Sequence, residues 1–195
     1  MRTFGDLLSP GAVGRLALVR DGVLILAGTM LVAVCAKIQI PGTGTVPITL
    51  QTFAVVLVGA TLGARRGALS LSAYLFEGAV GMPVFAGPIA GAAYFAGPTT
   101  GYLVGFVLAA FVVGRLAERG WDRRFAAAIC MFAVGHLLIL ALGGMWLADQ
   151  VGLRLAITHG VLVFLPGAAW KMTLAAALLP SAWKCVHGLD RSGGI

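Results

Sequence analysis

The chain has 195 residues, of which 59% are hydrophobic and 11% charged, yet fourteen Lys and Arg against seven Asp and Glu give it a net charge of +7. A water-soluble domain of this length carries far more charge, so an ordinary globule is excluded. The cations are scattered between long apolar runs and form no aromatic-interleaved basic stripe, which excludes a nucleic-acid partner and leaves an all-α, multi-pass protein of the cell membrane among lipids.

The segment 1–21 carries Arg2, Arg15 and Arg20 and no small-residue cleavage site at a signal-peptide distance, so no cleaved leader is expected. Six apolar runs follow, at about 22–38, 48–64, 67–80, 98–117, 125–148 and 166–183. At about 20 residues per crossing they predict six transmembrane helices in a single integral membrane domain covering 1–195. The second and third runs are short and joined by only Ala64, Arg65 and Arg66, which predicts a tight hairpin whose helices do not both cross squarely. The connection 81–97 repeats Phe-Ala-Gly-Pro at Phe85 and at Phe95, and is expected to be an ordered apolar loop over a cavity or a passive connector. The connection 149–165 is expected to be a loop, with Pro166 starting the last helix.

Eleven of the fourteen cations fall before the first run, between runs two and three, between runs four and five, or after the sixth. The intervening connections hold only Arg154. The positive-inside rule then predicts both termini on the cytoplasmic side. Gly101, Gly105 and Ala109 form a small-residue face suited to close helix contact.

Catalytic chemistry is poorly supplied, and no enzyme is expected. Ser70, Ser72 and Ser181 lack a nucleophile-elbow setting, and His136 and His159 have no matching metal ligands, so His136 is expected to hydrogen-bond between helices. Cys35, Cys130 and Cys185 have no paired spacing. There is no phosphate-binding loop, so any motor for uphill transport lies in another chain, and no cofactor is expected in this one.

Ionisable residues inside apolar runs are costly and therefore informative. Lys37 ends the first run, where it is expected to snorkel to the headgroups, and Glu77 lies near the outer end of the third. Lys171 follows Pro166 in the first turns of the last helix, where an ammonium and free helix amides would suit a carboxylate. Thr49, Gln51 and Thr52 enter the second helix and are candidates for a substrate's amide groups or for helix caps.

Four stretches in order, 46–52 (VPITLQT), 62–70 (LGARRGALS), 81–87 (GMPVFAG) and 97–106 (GPTTGYLVGF), resemble the BioY family, the biotin-specific substrate-binding (S) components of energy-coupling factor transporters. The similarity spans about 22–186. It implies a six-helix capture fold that binds biotin from outside, with a transmembrane scaffold subunit and two ATP-using ATPase subunits as partners. Self-association is left open. A self-sufficient small biotin transporter, or an S component for another carboxylate-bearing vitamin, are the alternatives. Family members carry an Asp-x-x-Lys pair at the start of the last helix; Lys171 matches the Lys, but the Asp position is Ala168. For biotin, the simplest model from the residues' own chemistry has Lys171 take the carboxylate and Gln51, Thr49, Thr99 or Tyr102 lie near the ring, with Glu77 hypothesised as the replacement acid in the same outer cavity. Related components also show Ala-x-x-x-Ala on the first helix, whereas Ala27, Ala33 and Ala36 lack that spacing.

Overall fold

The structure, a computed structural model, describes residues 3–7, 14–40 and 46–192. Among these, helices dominate: α1 (Phe4–Leu7), α2 (Arg15–Lys37), α3 (Gln51–Leu62), α4 (Ala64–Ala79), α5 (Thr100–Glu118), α6 (Phe125–Val151), α7 (Leu153–Leu155) and α8 (Leu165–Ser192). Helices are what a lipid environment demands, since no water there can satisfy an open backbone. Four stretches are long and apolar enough to cross a bilayer: α2, α5, α6 and the run Leu153–Cys185. Helix α3 is apolar but has 12 residues, and α4 has 16.

Two boundaries differ from the sequence expectation. The predicted second span begins as a strand, β2 (Ile48–Thr49), which pairs antiparallel with β1 (Gln39–Ile40), Gln39 opposite Thr49. The hairpin between α3 and α4 is also tighter than expected. Gly63 alone separates them, at φ 84°, so Arg65 and Arg66 belong to α4 rather than to a loop. A side chain at Gly63 would be strained in that left-handed backbone region.

The largest correction concerns 149–165. Instead of a loop, the chain turns at Gly152 and continues through α7, a π turn at Ala156–Val161 and a 3-10 turn at Leu162–Phe164 into α8. The apolar residues here keep their backbone bonds internal; the Leu165 amide donates to the Leu162 carbonyl. The helix start expected at Pro166 is thus continuous with helical turns before it, and the free amides expected beside Lys171 are not a feature of this segment.

Small residues set the helix distances. A Cβ at Gly105 would stand 3.0 Å from Ile139 Cα of α6, and one at Gly59 would stand 2.6 Å from the Ala110 carbonyl oxygen of α5. Such contacts supply dispersion energy where lipid provides no hydrophobic drive. Outward, α2 exposes Leu16, Leu18, Val19, Val23, Leu26 and Met30, as a lipid-facing helix does. Ala36 is buried, Ala33 half-buried and Ala27 exposed, so these three do not share one outward face.

The charged connections gather at one end of the bundle. Arg66 pairs with Asp6 of α1 and lies 3.5 Å from Asp21 of α2, while the Ala64 amide donates to Glu118 Oε1 of α5 at 2.9 Å. Asp122, in the 3-10 turn Trp121–Arg123, accepts from Trp183 Nε1 of α8 at 2.5 Å, and the Arg123 guanidinium lies over that indole at 4.7 Å. Burial pushes the Asp122 carboxyl up from its ordinary value despite the Trp183 bond. Burial pushes Asp6 up too, but hydrogen bonds from the Thr3 amide, Arg66 and the Thr3 hydroxyl, with the Arg66 charge, outweigh it and hold the group below its ordinary value. Arg2 lies outside the described residues, as does the side chain of Arg191.

Candidate functional site

At the other end, a cavity of about 50 Å³ lies between β2, α3, α5, α6 and α8 under the 81–97 connection. Six of the expected residues line it: Thr49, Gln51, Thr52, Thr99, Tyr102 and Lys171. Ala168, Tyr94, His136, Phe106 and Phe164 complete much of the wall.

Lys171 is 4% exposed. Its Nζ donates to the Thr49 carbonyl at 2.5 Å and to Thr52 Oγ1 at 3.1 Å. An ammonium has three N–H donors, so one remains. The β1–β2 pairing explains the first bond: it holds Thr49 extended at the mouth of α3, with its carbonyl turned toward α8 rather than into a helix ladder.

The neighbouring polar groups are largely engaged with one another. Thr49 Oγ1 donates to Gln51 Oε1 at 3.0 Å, and Gln51 Nε2 donates to the Tyr74 hydroxyl at 2.7 Å. The Tyr74 hydroxyl in turn donates to the Val84 carbonyl at 3.1 Å. Gln51 therefore ties α3 through α4 to the loop above. The Tyr102 hydroxyl donates to the Gly160 carbonyl at 2.6 Å, fixing the π turn against α5.

The loop itself is an aromatic lid. Phe85 is fully buried, stacked on Tyr94 with centroids 4.4 Å apart and edge-on to Tyr74 and Phe95. Gly78 lies under the Phe85 ring, where an added Cβ would collide with it. Burial pushes the Tyr94 phenol up from its ordinary value. Lys37 does not simply snorkel: its Nζ donates to the Phe85 carbonyl at 2.7 Å and pins the lid to α2.

Two sequence expectations fail here. Glu77 is half-buried on the flank of α4 and is not among the cavity's lining residues. The inward face of that helix carries Gly67, Ser70, Leu71, Tyr74 and Gly78, and Glu77 falls beside it rather than on it. His136 does not join two helices: its Nδ1 lies 3.0 Å from the Phe132 carbonyl one turn back on α6 itself. Among the polar lining residues, Tyr94 and His136 are the two that sequence reasoning did not single out for this site; His136, a lone imidazole in an apolar run, was the available signal.

A profile of the BioY family matches residues 8–188. A biotin transporter BioY from Thermotoga maritima is 42% identical over 158 residues, 80% of this chain and 92% of the relative. A probable biotin transporter BioY from Pyrococcus horikoshii is 41% identical over 142 residues, 73% of this chain and 83% of the relative. Among solved structures, the S component for biotin from an ECF-type ABC transporter matches with a TM-score of 0.76 at 27% identity, covering 89% of this chain and 95% of that one. The chain belongs to the BioY family.

Proposed function

We propose that this chain captures biotin in the cavity around Lys171 and delivers it across the membrane as the substrate-binding subunit of an energy-coupling factor transporter. A buried ammonium carries the reading. Lys171 keeps one N–H donor, and no carboxylate is among the described residues that line its cavity. A buried charge without a counter-charge costs several kcal/mol, and an anionic ligand is the natural compensation. Biotin supplies a carboxylate, an apolar chain and a ureido ring, which suits a mostly apolar wall with a few polar groups.

The end of the bundle that gathers Arg66, Glu118, Asp122 and Arg123 is the cytoplasmic one, so the lid and cavity face outward and six crossing segments place both termini inside. The short α3 and α4 then cross as a thin hairpin, packed through Gly59 and Gly67. The scaffold and two ATPase subunits supply the energy. The cavity as it stands has room for only a few waters, so biotin entry requires the Phe85 lid to lift.

Calorimetry on the purified chain in nanodiscs tests the reading. Biotin should bind tightly and biotinamide, which lacks the anion, about thirtyfold or more weakly. Equal affinities would remove the argument from Lys171, and no binding of either would remove biotin.

A further inference from the structure

His136 lies mid-way along α6, is 3% exposed, and lines the same cavity as Lys171 and Ala168. A carbonyl oxygen only accepts, so the 3.0 Å contact with Phe132 places the ring proton on Nδ1. Nε2 on the far side of the ring is buried and has no hydrogen-bond partner. Of the buried side-chain polar atoms left unmatched among the described residues, it is the one that belongs to a cavity-lining residue. A second cation beside Lys171, with no acid in the lining, would add like charge to desolvation. The neutral ring therefore offers Nε2 as a lone-pair acceptor.

A purely structural residue here would be better served by an apolar side chain, because a buried acceptor without a donor pays its desolvation for nothing. The other polar groups of the wall are already spoken for in part: Gln51 by Thr49 and Tyr74, and Tyr102 by Gly160. Ala168, on the same wall, offers no acceptor.

We infer that His136 Nε2 accepts a hydrogen bond from a ureido N–H of bound biotin, so that the cavity selects for an N–H donor as well as for an anion. The inference rests on the biotin reading above. Its consequence is that carboxylates of similar length without such a donor bind poorly, since a site built to hydrogen-bond rejects analogues that leave its own group unpaired.

The test is calorimetry in nanodiscs with biotin and with two analogues in which one or the other ureido N–H is replaced by a ring oxygen, on the wild type, His136→Phe and His136→Gln. In the wild type, one of the two analogues should bind about tenfold to a hundredfold more weakly than biotin. His136→Phe should weaken biotin by a similar factor and lose that discrimination. His136→Gln, whose amide oxygen reaches the Nε2 position, should keep part of both. Retention of the discrimination in His136→Phe, or wild-type indifference to both analogues, overturns the role of His136 while leaving the biotin reading intact. Failure of the wild type to bind biotin at all overturns both. The wild-type analogue comparison decides the matter even if His136→Phe does not fold.

Discussion

Lys171→Met keeps the length of the side chain and removes its charge. In the free protein two effects oppose each other. The change deletes a buried cation, which relieves several kcal/mol of desolvation, but it strands the Thr49 carbonyl and Thr52 hydroxyl that the ammonium now satisfies, at about 1–3 kcal/mol. The melting temperature without ligand should therefore move little. Biotin binding would have no such compensation, because the third N–H has no partner among the described residues and the proposed carboxylate would supply one. A lost charge-assisted hydrogen bond of about 2–3 kcal/mol lowers affinity by roughly thirtyfold to a hundred-and-fiftyfold. Calorimetry in nanodiscs should show this loss for biotin and almost none for biotinamide, so the two ligands converge in the variant. Unchanged biotin affinity in Lys171→Met would refute the reasoning, as would an equal loss for both ligands.

Three further outcomes follow from the packing and the charged end. Phe85→Ala should cost the lid about 3–5 kcal/mol of packing against Tyr74, Tyr94 and Phe95, measured as faster biotin dissociation by stopped flow; an unchanged off-rate would exclude the lid role. Gly59→Ala should cost about 1–3 kcal/mol, because its Cβ meets the backbone of Ala110 and the α3–α5 contact must widen; thermal unfolding followed by tryptophan fluorescence reports it. Asp122 is 1% exposed and its folded-state pKa is raised, so the folded state favours the protonated form more than the unfolded state does. Its contribution to stability must then rise as pH falls through the folded value, and Asp122→Asn should flatten the part of the profile that lies above the ordinary carboxylate range. An identical pH profile in the variant would exclude Asp122 as its source.

The sequence was a good guide where one residue's cost had a single explanation. A lysine in the last apolar run is expensive, and Lys171 lines the cavity. Thr49, Gln51, Thr99 and Tyr102 lie at the starts of their runs and converge because four helices and a strand meet there. Depth along the helix was legible, but azimuth was not. Glu77 is at the right depth on α4 and on the wrong side of it, since Tyr74 and Gly78 take the inward face to seat Phe85. The connection 149–165 misled for a different reason. Gly152, Arg154, His159 and Gly160 read as loop residues, yet Gly160 is there to let Tyr102 reach its carbonyl, and the turns around it remain helical. The clustering of arginines was legible because it is a property of counts along the chain, whereas the pairing of Arg66 with Asp6 requires knowing that α1 folds back on α4.

The cavity's polar residues also divide by what their hydrogen bonds are already doing. Gln51 and Tyr74 form a chain of bonds from α3 through α4 to the Val84 carbonyl, and Lys37 of α2 separately holds the Phe85 carbonyl, so the wall of the site is tied to the loop above it. A ligand that draws on Thr49 or Gln51 must therefore perturb the lid, while one that uses only the third N–H of Lys171 and Nε2 of His136 leaves that chain whole. These two atoms are opposite in kind, a cationic donor and a neutral acceptor, in a wall where Gln51 and Tyr102 are already engaged with protein partners. Occupying both at once requires a molecule with an anion at one end and an N–H at the other. On the proposed reading, that combination would satisfy the site without breaking the bonds that hold the loop over it, and would couple capture to closure of the loop rather than to contact area alone.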